Sequence, residues 1–233
     1  MHLKSVTLCQ NRYPTHEAYP FCLPVIQQTH AIEFATAVTI FVGENGTGKS
    51  TLLEALARRC GIHQWRNEDV WRCGYNHYEQ ALHRCLDVVW RHGSVPGSFF
   101  GAGTFQSFVE DLEEWAAADH GILKYFGGHS LMTLSHGQSI MAYFQARYQV
   151  RGLYFLDEPE AALSPATQVK LLRLLEKIAA QGHAQFVIAT HSPILLSCKG
   201  ATLYSFDSVP VQQVAYKDTP HYRVYKDFLD SVE

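Results

Sequence analysis

The 233-residue chain reads as an α/β protein: a mostly parallel sheet with helices on both faces. Three observations predict it. Two short, continuous apolar runs, "LYFLDE" at 153–158 and "AQFVIATHS" at 184–192, have the composition of strands buried on both faces. Between them lies an amphipathic helical stretch, "SPATQVKLLRLLEKIAAQG". A third apolar run, "AVTIFVG", passes through a glycine-rich loop directly into helical spacing. Strands alternating with helices in this way belong to sheets covered on both faces.

In chain order, "LKSVTLCQ" and "AIEF" read as strands of an N-terminal β region, separated by a stretch punctuated by Pro14, Pro20 and Pro24. After "AVTIFVG", Leu52, Leu53, Leu56 and Ala57 share one face of a helix that Gly61 stops. Residues 61–133 are less regular and read as a mostly helical lid inserted within a single domain spanning 1–233. Its clear helix is "TFQSFVEDLEEWAAADHG", capped by Thr104, ended by Gly121 and facing inward through Phe105, Phe108, Val109, Leu112 and Trp115. A helix follows in "SHGQSIMAYFQARYQVRG", where Ser135 is a natural cap. In the next helix Ser164 caps, Pro165 opens and Gly182 closes, the expected asymmetry. The tail reads as a hairpin, "ATLYSFD" with "VQQVAY", and a closing helix, "TPHYRVYKDFLDSV".

Composition bounds the function. A hydrophobic content of 47% with 18% charged residues is that of a globular protein, and a net charge of −3 provides no global attraction to nucleic acid or anionic lipid. Arg84 and Arg91 read as a solvated helix face. No apolar run reaches membrane-spanning length and no signal peptide opens the chain, so a cytoplasmic location without an integral membrane segment is expected. The six cysteines (Cys9, Cys22, Cys60, Cys73, Cys85, Cys198) show no C-x-x-C pair and read as reduced, partly buried hydrophobes. His83, Cys85 and His92 lack a ligand spacing on the helix that "LHRCLDVVWRHG" suggests. In the lid, Trp65, Trp71 and Trp90 would mark an interface if they formed a patch, and core packing is their expected fate.

"GENGTGKS" fits G-x-x-x-x-G-K-[ST] between a predicted strand and a predicted helix. Gly43, Gly46 and Gly48, with Asn45 between, let successive N–H groups converge on phosphate oxygens. Lys49 is expected to reach the β- and γ-phosphates, Ser50 to ligate Mg²⁺, and Thr51 to carry the loop into the helix. An acidic residue ending a buried strand is costly unless its charge is used, so Asp157 is the second expected metal residue. Glu158, one step further out, stands where it can orient or deprotonate water. His191, after the buried "FVIA", stands where an imidazole can contact a γ-phosphate. All these motifs fall at the carboxyl ends of predicted strands, where open α/β sheets bind ligands.

These motifs resemble the nucleotide-binding domain of the ABC ATPase superfamily: "GENGTGKST" its Walker A loop, "LSHGQ" its LSGGQ signature with His136 in place of glycine, "LYFLDEPEAALSP" its Walker B strand and D-loop, and "ATHS" its switch histidine. The resemblance implies a P-loop NTPase fold of the ABC type and Mg²⁺-dependent hydrolysis of ATP. It also implies a homodimer closed head to tail around ATP, with Ser135 and Gly137 acting on the nucleotide held by the other subunit. The family's Q-loop glutamine corresponds to Gln106 or Gln64, and its adenine-stacking aromatic to Tyr13, Tyr19 or Phe34; the sequence leaves both open. The wording around the motifs is similar to soluble SMC- and RecF-related ATPases, including small stand-alone AAA-type ATPases of bacteria. That group implies a setting in DNA repair or defence against foreign DNA, with DNA or an unidentified protein as further partner. The alternatives are a nucleotide-switched module controlling an effector and the ATPase subunit of a membrane transporter.

Overall fold

The computed structural model describes residues 1–65, 76–126 and 128–232. Trp71 and Cys73 lie outside them. The chain opens with β1 (Leu3–Leu8), α1 (Pro24–Gln28), β2 (Ala31–Glu33), β3 (Val38–Val42) and α2 (Lys49–Arg59). It continues through β4 (Leu86–Trp90), β5 (Gly97–Gly101), α3 (Phe105–Ala118), α4 (His136–Arg147), β6 (Gly152–Asp157) and α5 (Pro165–Gln181). It closes with β7 (Ala184–Ala189), α6 (Pro193–Leu196), β8 (Thr202–Ser205), β9 (Gln212–Gln213) and α7 (Pro220–Ser231).

The main sheet has strand order β5-β6-β7-β3-β8-β9 and is parallel except for the β8-β9 hairpin. Side chains alternate between its faces, as the period-2 pleat requires. Ile40, Val42, Tyr154, Leu156, Phe186 and Ile188 join the core shared with α3, α4 and α5. Phe41, Leu153, Phe155, Val187 and Ala189 join the one shared with α2 and the small sheet. That small sheet is antiparallel, β2-β1-β4. Gln185, fully buried in β7, ties the two sheets: its Oε1 accepts from the His2 and Leu3 N–H groups at 2.6 and 2.8 Å, and its Nε2 donates to Leu3 O at 3.0 Å.

The register puts the functional strand ends side by side. Gly101 pairs with Asp157, Asp157 with Ala189, and Ala189 with Phe41, so the chain leaves β5, β6, β7 and β3 at one edge of the sheet.

Within 61–133 the structure adds two strands, β4 and β5, to helical elements that make up most of the regular structure described there. Leu86 and Val88 pack inward while Val89 is exposed, an in-out alternation that the Val-Val pair hides. In β5 a Cβ at Gly97 would sit 1.9 Å from Leu153 O, so the close approach of β6 requires glycine and removes the usual strand composition. Arg84 accordingly lies on a single 3-10 turn, Leu82–Cys85, just before β4, and Arg91 just after that strand. Helix α3 buries Phe105, Phe108, Val109 and Leu112 as expected, but Trp115 is 42% exposed and the helix ends at Ala118 before Gly121. Thr104 heads it without a side-chain cap bond. Trp65 packs against Phe108 and Trp115, and Trp90 is partly buried against the core beneath the small sheet. The five described cysteines are free, and burial pushes the Cys60 and Cys198 thiols up to about 12. Among the described residues no helix is long and apolar enough to cross a membrane.

Candidate nucleotide site

The loop between β3 and α2 is shaped by its glycines. Gly46 and Gly48 have φ of +80° and +100°, a region that other residues rarely adopt, and a Cβ at Gly48 would press on Val25 and Leu23 at 3.1–3.2 Å. Asp207, just after β8, accepts from the Glu44 N–H at 2.8 Å and pins the loop from the far side. Asn45 and Gly46 lie exposed on the loop and Gly43 is buried at its base. Lys49 is 4% exposed, and its Nζ donates to the carbonyls of Gly43 and Glu44 at 2.6 and 2.8 Å. Burial lowers its pKa, opposed by Glu158, Asp207, Asp157 and Glu44. A buried ammonium bonded to its own loop and ringed by carboxylates is a cation suited to an incoming polyphosphate.

Ser50 Oγ donates to Asp157 Oδ1 at 2.8 Å, which brings the two expected metal residues together from α2 and β6. Burial pushes the Asp157 carboxyl up to about 7, with the Ser50 bond opposing it. A hydroxyl and a carboxyl oxygen set side by side are the hard donors that Mg²⁺ takes, and a divalent cation would relieve the burial of the carboxylate. The residues present therefore fit the metal.

Glu158 follows with φ +47°, in the left-handed region, and its N–H donates to Ala189 O at 2.9 Å. Strained non-glycine positions of this kind concentrate at functional sites. Its Oε1 lies 3.4 Å from His191 Nε2. Glu160, two residues on, receives the Thr190 hydroxyl at 2.6 Å and the His191 and Ser192 N–H groups at 2.7 and 3.1 Å on one oxygen. It clamps the loop after β7 to the loop after β6. Burial raises its pKa against those bonds. His191 Nδ1 meets His221 Nε2 of α7 at 3.1 Å.

Lys49, Ser50 and Thr51, on the first turn of α2, thus adjoin Asp157, Glu158 and His191 at or just past the ends of β6 and β7. Tyr19 OH bonds Thr51 Oγ1 at 2.8 Å, whereas Phe34 is fully buried and Tyr13 donates to Ile26 O, so of the three aromatics Tyr19 is the one with a described hydrogen bond to α2's first turn. Gln64 lines a cleft with Thr51, Asp157 and Glu158, while Gln106 is exposed on α3 and bonds Glu110. At the start of α4, Ser135 and His136 are exposed. The Ser135 N–H donates to Gln138 Oε1 at 3.0 Å in a capping box. His136 packs edge-on against Phe105, and Gly137 lies over Ala162 and Leu163. Sequence reasoning missed Asp207, Glu160 and His221. The second acid of "DEPE" was a readable signal for Glu160; the others had none.

A glycine-rich loop at the mouth of a helix, with a buried lysine and an acidic strand end beside it, defines a P-loop nucleoside triphosphatase. Comparison with known proteins narrows the class. The family model described as "AAA domain, putative AbiEii toxin, Type IV TA system" matches residues 133–197, and one described as "AAA domain" matches 21–60. The thiamine import ATP-binding protein ThiQ of Cereibacter sphaeroides is 31% identical over 168 residues, 65% of this chain and 69% of that protein. In fold, the chain is similar to "a putative metal-chelate type ABC transporter" in an inward-facing conformation, with TM-score 0.57 and 18% identity over 96% of this chain and 88% of that one. It is also similar to the SMC head domain from Thermotoga maritima, with TM-score 0.51 and 16% identity over 92% and 99%. The chain belongs to the ABC ATPase superfamily and is an ATP-binding ATPase.

Proposed function

We propose that this chain, one domain with its lid, is a Mg²⁺-dependent ATP hydrolase of the cytoplasm. It closes head to tail with a second copy around ATP and so drives or gates a conformational change. The observation that carries the reading is the convergence of Lys49, Ser50, Asp157, Glu158 and His191 at one sheet edge while Ser135 stands solvent-facing at the start of a helix. Gly43, Asn45, Gly46, Gly48 and Thr51 cradle the phosphates, and Lys49 leaves its loop carbonyls for the β- and γ-phosphate oxygens. Ser50 and Asp157 would hold Mg²⁺, which when bound would offset phosphate charge. Glu158 takes the proton of the attacking water as the water oxygen bonds the γ-phosphorus and the bridge to ADP breaks. His191 contacts the γ-phosphate. Ser135 and Gly137 offer a helix N-terminus to the γ-phosphate held by the other copy.

The match of residues 133–197 to the toxin-system family model favours a setting in defence, with a protein effector as partner and the ATPase as its nucleotide switch; DNA repair, with DNA as partner, rests on the resemblance of the motifs to SMC- and RecF-related ATPases. The likeness to a thiamine import ATP-binding protein favours a second reading, the ATPase subunit of a membrane transporter. Copurification with a permease separates them.

Light scattering of Glu158→Gln with Mg²⁺ tests the core of the reading. A dimer with ATP, a monomer with ADP and loss of the dimer on adding Ser135→Arg are expected. A monomer in both nucleotides overturns the trans role of Ser135.

A further inference from the structure

His191 and His221 meet ring to ring, Nδ1 to Nε2 at 3.1 Å, with centroids 5.3 Å apart. His221 enters α7 just after Thr219, whose hydroxyl caps the helix, and Pro220. A neutral imidazole has one N–H and one bare nitrogen, so the contact holds a single proton and only two arrangements exist. Burial and the nearby Lys49 lower the His191 pKa, against the pull of Glu158.

If His191 donated through Nδ1, its Nε2 lone pair would face Glu158 Oε1 at 3.4 Å. His221 would then carry its N–H on Nδ1, a buried atom without a hydrogen-bond partner. If His221 donates through Nε2, the His191 proton sits on Nε2, which is likewise buried without a hydrogen-bond partner and has Glu158 Oε1 at 3.4 Å. The atom left over is then a bare acceptor, His221 Nδ1. Each arrangement therefore leaves one buried N–H without a hydrogen-bond partner, and they differ in what faces it: only the His191 Nε2–H has a carboxylate 3.4 Å away, where the other arrangement sets a lone pair against that charge.

We propose that His221 is a positioning residue that donates to His191 Nδ1 and so selects the Nε2–H form of the switch histidine. The consequence for turnover rests on the reading of His191 as a γ-phosphate contact. Phosphate oxygens only accept, so only the Nε2–H form bonds them as a neutral ring. His221 itself touches no nucleotide in this scheme. The tautomer it selects stands on the geometry alone.

The test is long-range ¹H–¹⁵N correlation NMR of the full chain with ¹⁵N-histidine, free of nucleotide, with His191→Asn assigning the resonance. His191 is expected in the Nε2–H form. His221→Gln keeps that form, because a carboxamide N–H reaches the same nitrogen, and His221→Glu, which only accepts, moves His191 to Nδ1–H. On the same chains, His221→Glu lowers kcat by at least about tenfold with KM for ATP within about twofold, and His221→Gln stays within about threefold of the native chain. Finding His191 as Nδ1–H in the native chain, or unmoved in His221→Glu, overturns the proposal. A His191→Ala chain that turns over normally while the native tautomer is Nε2–H overturns instead the γ-phosphate role of His191.

Discussion

Ser50 on the first turn of α2 and Asp157 at the end of β6 share a hydrogen bond of 2.8 Å although 107 residues separate them. Both oxygens belong to the expected metal pair, and each depends on the other for orientation. Ser50→Ala and Asp157→Asn should each lower Mg²⁺-dependent turnover by about 100-fold or more, because each removes stabilisation of transition-state charge. Binding of ATP in EDTA should change by less than about threefold. Turnover assays and calorimetric titration check both arms, and equal losses of binding and turnover would assign the pair to the phosphate cradle.

Asp157 also sets a pH dependence. Its carboxyl is raised from 3.8 to about 7 by burial. Between those values the native chain holds more protons than the unfolded one, so this group's stabilisation is complete below about pH 4 and is lost as pH rises to about 7. Asp157→Asn should therefore match the native chain at pH 4 and exceed it at pH 8 by about 1–3 kcal/mol in urea unfolding without nucleotide. Parallel pH profiles would show that the carboxyl titrates normally.

Glu160 gathers three donors of the switch loop on one buried oxygen. Glu160→Ala strands them and should cost about 2–4 kcal/mol of stability, together with most of the turnover, as His191 loses its anchor. Thermal unfolding and an ATPase assay suffice. A stable, active variant would remove Glu160 from the positioning of His191.

Gln185 provides a control far from the chemistry. Gln185→Leu leaves the His2 and Leu3 N–H groups and the Leu3 carbonyl unpaired where the two sheets join. A loss of about 2–4 kcal/mol is expected, with turnover per folded molecule unchanged within about twofold. Denaturant titration paired with kinetics measures both, and a selective drop in kcat would show that the small sheet shapes the site.

The amino-acid sequence by itself determined the elements whose signals are local. The buried runs of β3, β6 and β7, the caps of α5, and the glycine–lysine–serine order of the P-loop depend on burial, φ and short-range bonding, which neighbouring residues dictate. Lys49, Ser50, Asp157, Glu158 and His191 were legible for that reason. Only the tertiary structure decided what depends on distant partners. β5 is a strand because β6 leaves room for no side chain at Gly97. Glu160 and Asp207 hold loops that lie far from them in the chain, and His221 meets His191 from a helix whose own sequence speaks only of helix. Such contacts are fixed by strand register and packing, which bring together residues with no periodicity in common.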